Sequence, residues 1–211
     1  MSSATTFALV RHGQTAWNAA MRIQGRSDIP LNDTGRGQAV DAVGALSPYD
    51  WDFLVSSPLS RAAETADLIA DGLGLTVTQR IPSLVERDYG LAEGLGAGAE
   101  LEALREPGGP TGNGGFRGAE PEDDVADRGV DVLRMLARDY PGARIIVVSH
   151  GTLIRLSLIR ILDRAIPTIA NAALTVARSG PDGWTLDVLN GELLEPAGAR
   201  PGGRACRDPA R

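Results

Sequence analysis

The two histidines of this 211-residue chain share one local setting. His12 follows the apolar run 7–10 and Arg11, and it precedes Gly13. His150 follows another apolar run and also precedes a glycine. Continuous apolar runs of this kind predict buried strands of a parallel sheet. Because ligands of open α/β sheets bind outside the carboxyl ends of the strands, we expect both imidazoles at one site.

A second arginine and a carboxylate extend this set. Ser57-Pro58 is typical of a helix start, with a capping serine before a proline, so Arg61 falls in the first turn. Its guanidinium and the free N–H groups of a helix start both favour an anion such as phosphate. Glu86 follows an apolar pair at the end of a strand-like piece.

Imidazole, guanidinium and carboxylate groups at strand ends indicate phosphoryl transfer. One histidine can attack phosphorus and carry the group covalently, while the cations stabilise charge on the equatorial oxygens. A carboxylate can protonate the leaving alkoxide and then activate water. The chain has no P-loop lysine motif, so nucleotide-driven transfer is not indicated.

The pattern between these residues alternates strands and helices, which predicts an α/β fold with a mostly parallel sheet. The strands are predicted at 7–10, 52–56, 75–80, 144–149, 173–178 and 184–190. The helices are predicted from an N-cap at Thr34 to residue 46, from Ser57 to about Ala70, and at 100–106, 122–139 and 152–162.

Composition narrows the class of partner. The net charge of −6 and the pI near 5.0 argue against nucleic acid or an anionic membrane, although a small anionic substrate can still meet a locally basic site. The single cysteine, Cys206, excludes an internal disulfide. No apolar segment reaches the ~18–20 residues of a membrane span. Residues 1–6 lack the features of a secretory signal, so we expect a cytoplasmic protein.

The length favours one domain over residues 1–195, followed by a disordered tail at 196–211. Within the domain, 91–121 forms a loop subregion, and its glycine-rich part, 107–121, is either a lid or a plain surface loop. The apolar closing strands leave a homodimer open as an alternative to a monomer.

The motifs resemble those of the histidine phosphatase superfamily, which includes the cofactor-dependent phosphoglycerate mutases. Residues 9–18 resemble its Arg-His-Gly signature, and residues 56–66 are similar to its second-arginine helix. Three further segments resemble its Gln-Gly, acid and second-histidine motifs: 22–25, 86–94 and 148–151. The resemblance implies a phosphoglycerate mutase-like, three-layer αβα sandwich, and it covers most of the chain.

The resemblance also implies a role for each residue. His12 would be the phosphorylated nucleophile and Glu86 the proton donor, and glycines 13 and 151 would allow close backbone approach. The other catalytic groups, which hold the phosphate, would be Arg11, Arg61 and His150. The implied substrate-binding set is Arg11, Asn18, Gln24, Gly25, Arg61, Glu86, His150, Gly151 and the backbone N–H of Thr152. The resemblance implies no metal, and we expect no other cofactor.

Two departures from the mutases favour simple hydrolysis. Residues 91–121 carry only Arg105 and Arg117 and no lysine, where mutases have a longer insertion with more basic residues for the substrate carboxylate. Thr152 also stands where mutases typically have asparagine. We therefore expect a phosphoric monoester hydrolase of the histidine acid phosphatase type, with a phosphorylated small molecule as its substrate. Phosphoglycerate mutase activity and a catalytically inactive phosphate-binding module are the alternatives.

Overall fold

A mixed seven-stranded sheet forms the centre of the protein. The computed structural model describes residues 4–106 and 115–194. Within them the sheet has the order β3-β2-β6-β1-β7-β8-β9, and β4 pairs with β5 in a separate small sheet. The strands are β1 (Thr5–Arg11), β2 (Phe53–Ser56), β3 (Val77–Arg80), β4 (Arg105–Glu106), β5 (Gly115–Phe116), β6 (Arg144–Ser149), β7 (Leu174–Gly180), β8 (Gly183–Leu189) and β9 (Glu192–Leu193).

Helices cover both faces of this sheet. The described helices are α1 (Ala16–Ala19), α2 (Asp33–Leu46), α3 (Ser60–Leu73), α4 (Ala99–Glu102), α5 (Glu122–Asp139) and α6 (Gly151–Leu162), of which α2, α3, α5 and α6 cover the sheet. Alternate residues of the central strands enter different cores. Phe7 and Leu9 of β1 pack with α5 and α6, whereas Ala8 and Val10 pack with α2 and α3. Burial on both faces explains the unbroken apolar runs, and it confirms the three-layer αβα sandwich.

The sheet register places the reactive strand ends together. β1 pairs with β6 in parallel, with Arg11 opposite Ser149, and β2 pairs with β6 in parallel, with Ser56 opposite Val148. The carboxyl ends of β1, β2 and β6 therefore lie at one edge of the sheet. Strands β7, β8 and β9 continue the sheet in antiparallel fashion beyond β1. The sheet is thus mixed, with its parallel part around the site.

Two predicted helix starts are wrong, because side chains elsewhere supply the caps. Helix α2 begins one residue before Thr34, and the Asn32 side chain accepts the N–H of Gly35. Helix α3 begins at Ser60, whose N–H and hydroxyl both donate to the Asp28 carboxylate, at 2.7 and 2.8 Å. The hydroxyl of Ser57, the predicted cap, accepts the N–H of Leu59 at 3.3 Å, before the helix begins, and lies 2.8 Å from Nε2 of His150.

The segment around residue 100 also differs from its prediction. The predicted helix 100–106 is a single helical turn, α4, after which Arg105 pairs with Phe116 in the small sheet. Residues 107–114, which hold much of the predicted lid, lie outside the described residues, as does the predicted tail at 196–211. Among the described helices none is long and apolar enough to cross a membrane. The cytoplasmic location stays a prediction.

Candidate active site

His12 lies at the end of β1 and is 3% exposed. Its Nδ1 is 2.7 Å from the carbonyl oxygen of Gly13, and because a carbonyl can only accept, Nδ1 carries the hydrogen. Nε2 therefore presents its lone pair, which accepts from Nε of Arg61 at 3.2 Å. Burial, together with the charges of Arg61 and Arg11, lowers the pKa of His12 well below 6.5. The imidazole is thus neutral at pH 7, as a nucleophile must be.

Arg61, in the first turn of α3, is fully buried beside this lone pair. Its terminal nitrogens donate to the carbonyl oxygens of Gly25 and Ser27, at 2.6 and 2.9 Å. Burial lowers the pKa of Arg61 to about 10, against the opposing effect of Glu86 and two other carboxylates. The guanidinium is therefore still cationic at neutral pH, and the two carbonyls fix its orientation.

Arg11 lies between the strand end and the start of α6. One terminal nitrogen donates to the carbonyl oxygen of Ile169 at 2.7 Å, whereas its Nε is buried without a partner among the described residues. A Cβ at Gly151 would lie 3.2 Å from both Cδ and Nε of Arg11. The glycine therefore leaves the space that the arginine side chain occupies.

His150 is fully buried, and its ring centroid is 5.2 Å from that of His12. Its Nε2 is 2.8 Å from the Ser57 hydroxyl, while its Nδ1 has no partner among the described residues. If the hydroxyl donates to Nε2, the hydrogen is on Nδ1, which is then free to donate. Burial and the charge of Arg61, followed by smaller contributions from neighbours, lower the pKa of His150 well below 6.5.

A group of amide side chains follows His12 in the chain. Thr15 caps α1 by accepting the N–H of Asn18, and its own hydroxyl donates to Oε1 of Gln24 at 2.7 Å. The Asn18 amide donates to the same Oε1 at 3.2 Å. Because Oε1 accepts twice, the Gln24 Nε2 is the remaining donor, and it is buried without a partner among the described residues.

Glu86 is 6% exposed and is held by the N-terminus of α6. Its carboxylate accepts the backbone N–H groups of Arg87 at 2.9 Å and of Thr152 and Leu153 at 3.1 Å each. The N–H of Thr152 is thus bound to Glu86 in this structure, and its contact with phosphate stays a prediction. The Thr152 hydroxyl lies 2.7 Å from that of Tyr89.

Close backbone packing requires the two glycines of the early motifs. A Cβ at Gly13 would lie 2.2 Å from the carbonyl oxygen of Gly35. A Cβ at Gly25 would lie 2.0 Å from the Glu93 carboxylate and 2.6 Å from the carbonyl oxygen of Arg87. Gly25 also supplies the main-chain carbonyl that orients Arg61, so the position of this guanidinium depends on the backbone at Gly25.

Three supporting residues lie outside the predicted set. Thr65 accepts the N–H of Gly13 and donates to the carbonyl of Arg61, so it links both catalytic segments. Asn171 donates to the carbonyl of His12 at 2.9 Å and to Asn18 at 3.3 Å. Ser57 partners His150. The spacing of Thr65 from Arg61, one helical turn, could have indicated its role, whereas Asn171 lies in a distant loop without a sequence signal.

The structure therefore brings the predicted residues together at one sheet edge. Two neutral imidazoles face each other, two guanidinium groups adjoin them, and Glu86 lies at the start of the helix that follows His150. Arg11, Gln24 and His150 each carry a buried side-chain nitrogen without a partner among the described residues. Such a set can bind a phosphoryl group and attack it.

Comparison with known proteins defines the family. The model of the histidine phosphatase superfamily (branch 1) matches residues 7–192. Because the match extends over most of the chain, the protein belongs to this family, and the resemblance seen in the motifs is confirmed. The fold agrees with those of its solved structures.

Several relatives in this family carry phosphatase names, and others carry phosphoglycerate mutase names. The chain is 33% identical to the uncharacterized phosphatase PhoE of Bacillus subtilis over 190 residues, 88% of this chain and 94% of that protein. It is 36% identical to the metal-independent phosphoserine phosphatase of Arabidopsis thaliana over 202 residues, 88% and 81% of the two chains. A mycobacterial glucosyl-3-phosphoglycerate phosphatase structure superposes with a TM-score of 0.77 at 28% identity, over 90% of this chain and 100% of that one.

Proposed function

We propose that the protein is a phosphatase that hydrolyses small phosphomonoesters through a phosphohistidine at His12. The observation that carries this proposal is the set of buried side-chain nitrogens at Arg11, Gln24 and His150 that have no partner among the described residues, around a neutral His12. Buried polar groups are normally paired, and a dianionic phosphoryl group would supply the missing acceptors. The phosphatase names of several relatives favour hydrolysis over mutase activity.

The first chemical step transfers the phosphoryl group to the enzyme. Nε2 of His12 forms a bond to phosphorus while the ester P–O bond breaks, and Arg11, Arg61 and His150 stabilise the charge on the equatorial oxygens. A protonated Glu86 gives its proton to the leaving alkoxide, which departs as an alcohol. In the second step Glu86 takes a proton from water, water attacks phosphorus, and the P–N bond breaks to release inorganic phosphate.

The test of the nucleophile is hydrolysis of p-nitrophenyl phosphate. The wild-type protein should release phosphate, and brief exposure to labelled substrate should leave an acid-labile phosphate on the chain. His12→Ala should lose both signals. Normal turnover by this variant would contradict the mechanism, and binding of phosphate esters without turnover by the wild type would indicate the inactive binding module.

The role of Glu86 is tested with a series of leaving groups. Glu86→Gln cannot donate a proton, so alkyl phosphates should lose roughly 10²–10⁴-fold in kcat/KM, which reports the first step alone, while p-nitrophenyl phosphate, which needs no acid in that step, loses far less. Glu100→Gln, an exposed change of the same kind, is the control. Equal losses for all leaving groups would remove the acid role from Glu86.

The mutase alternative is separated by its product. Interconversion of 3- and 2-phosphoglycerate with little release of phosphate would displace hydrolysis as the main activity. The finer subclass, the histidine acid phosphatase type, stays a prediction. The family match to residues 7–192 supports the single domain expected at 1–195.

A further inference from the structure

Arg155 lies one turn into α6, the helix whose first residues border the site. It is three residues after Thr152, so the two side chains share a face of the helix. Because side chains of a helix tilt toward its N-terminus, this face directs Arg155 toward the catalytic end of α6. Arg155 is half-buried there.

Tyr89 places this charge near the acid segment. Its hydroxyl lies 2.7 Å from that of Thr152, and it follows Glu86 by three residues. Burial is the main cause that raises the pKa of Tyr89 to about 12, and the charges of Arg87 and Arg155 act in the opposite direction. The Thr152 hydroxyl thus links the helix that carries Arg155 to the segment that carries the proton donor.

Arg155 differs from the next arginine of the same helix in its partners. The guanidinium of Arg160 pairs with Asp123 and Asp127 of α5. No hydrogen bond or ion pair joins Arg155 to any residue in the described ranges 4–106 and 115–194. Within the described residues this half-buried cation therefore has no ionic partner, which makes the position suited to an anionic ligand.

We propose that Arg155 is a specificity-determining residue that binds a second anionic group of the substrate, either a carboxylate or a second phosphate. This inference rests on the proposed phosphatase function. In the proposed mechanism the reacting phosphoryl group already binds to Arg11, Arg61 and His150. Arg155 shares a helix face with Thr152, whose hydroxyl contacts Tyr89 and whose N–H is bound by Glu86, so it lies on the side of the site where Glu86 meets the leaving group. A guanidinium fork suits both oxyanions.

The test compares esters that differ only in the second charge. The carboxylate pair is 3-phosphoglycerate against glycerol 1-phosphate, and the phosphate pair is propane-1,3-diyl bisphosphate against 3-hydroxypropyl phosphate. The wild type should favour at least one charged ester in kcat/KM, and the preferred pair identifies the oxyanion. In Arg155→Met the preference in kcat/KM for the charged ester should fall by roughly 10- to 100-fold, which corresponds to one charge-assisted hydrogen bond. The loss should appear as an increase in KM for the charged ester. Arg155→Lys should restore part of the preference.

The control is Arg160→Met, which removes a charge from the same helix away from the site and should leave the preference unchanged. An unaltered preference in a folded Arg155→Met would overturn the inference while hydrolysis itself persists. Calorimetric binding of the four esters to His12→Ala gives a readout that does not depend on turnover. If neither charged ester binds more tightly than its neutral partner, the inference about Arg155 fails. Absence of hydrolysis of every ester by the wild type would separately contradict the proposed phosphatase function.

Discussion

At the scale of single residues, hydrogen bonds decide what each catalytic group can do. The Gly13 carbonyl fixes the proton of His12 on Nδ1, which leaves Nε2 as the nucleophile. The Ser57 hydroxyl contacts Nε2 of His150, and the opposite nitrogen has no partner in the described part of the chain. The two histidines therefore have different roles because they have different hydrogen-bond partners. None of these neighbours is distinguished by residue type in the sequence.

The Gln24 amide should contribute through its Nε2, which no described residue binds. Gln24→Ala removes one donor to the charged phosphoryl group, so kcat/KM for p-nitrophenyl phosphate should fall by roughly 10-fold. Gln24→Glu places a carboxylate at the same position and should cost more, because it repels the phosphate. The exposed Gln79→Glu introduces the same charge on β3 and should have little effect. Steady-state kinetics of the three variants check this, and a Gln24→Glu enzyme as active as Gln24→Ala would argue against phosphate contact.

At the scale of elements, the sequence predicts the bounds of a helix or strand best when the residues that determine those bounds lie within the same segment. The bounds of α5 and β6 were predicted to the residue, because the amphipathic pattern of α5 and the apolar run of β6 contain their own limits. The start of α3 was not, because its cap is Asp28, which is 32 residues away along the chain. Asn171, which holds the His12 carbonyl, likewise acts across 159 residues. Long-range polar contacts of this kind have no local pattern.

The packing of α5 on α6 should reverse an ordinary helix preference. Alanine is favoured over glycine inside a helix by about 1 kcal/mol. At the exposed Gly44 of α2 a Cβ would meet nothing within 4 Å, so Gly44→Ala should stabilise the protein by roughly 0.5–1 kcal/mol. At the buried Gly129 of α5 a Cβ would lie 2.0 Å from Oγ and 3.3 Å from Cβ of Ser157. Gly129→Ala should therefore destabilise it, by about 1–3 kcal/mol.

Urea denaturation of both variants measures whether each substitution raises or lowers the free energy of unfolding. Ser157→Ala in the Gly129→Ala background removes the closest clashing atom and should recover part of the loss. If Gly129→Ala stabilises the protein as Gly44→Ala does, that result would contradict the close packing of α5 against α6 at Ser157.

At the scale of the whole molecule, an acidic protein concentrates buried positive charge at one sheet edge. The net charge is −6, yet Arg11 and Arg61 adjoin two buried imidazoles. The carboxylates of Glu86, Asp28 and Glu93 partly offset these cations. Burial and the two arginines keep both histidines neutral, which serves catalysis. The same arrangement makes folding depend on pH.

The pKa values of His12 and His150 are well below 6.5 in the folded protein, mainly because of burial. The unfolded chain, with pKa values near 6.5, therefore binds more protons than the folded chain at pH values below about 6.5. Under that condition the free energy of unfolding rises with pH, so it falls as the solution is acidified. Between pH 6.5 and 5.5 the pair should cost about 2 kcal/mol of stability.

Urea unfolding at pH 7.5, 6.5 and 5.5 measures this loss, and the variant His12→Gln/His150→Gln should show a flatter dependence over the same interval. The carboxylates act in a lower window. Burial opposes ionisation of Glu93, but hydrogen bonds from Ser27, Arg26 and Tyr89 outweigh it and lower its pKa below 4.5. Its stabilising contribution is lost only as the pH falls below that value. Equal slopes for the wild type and the double variant above pH 5.5 would mean that the histidines are not held neutral, which would also remove the basis for His12 as a ready nucleophile.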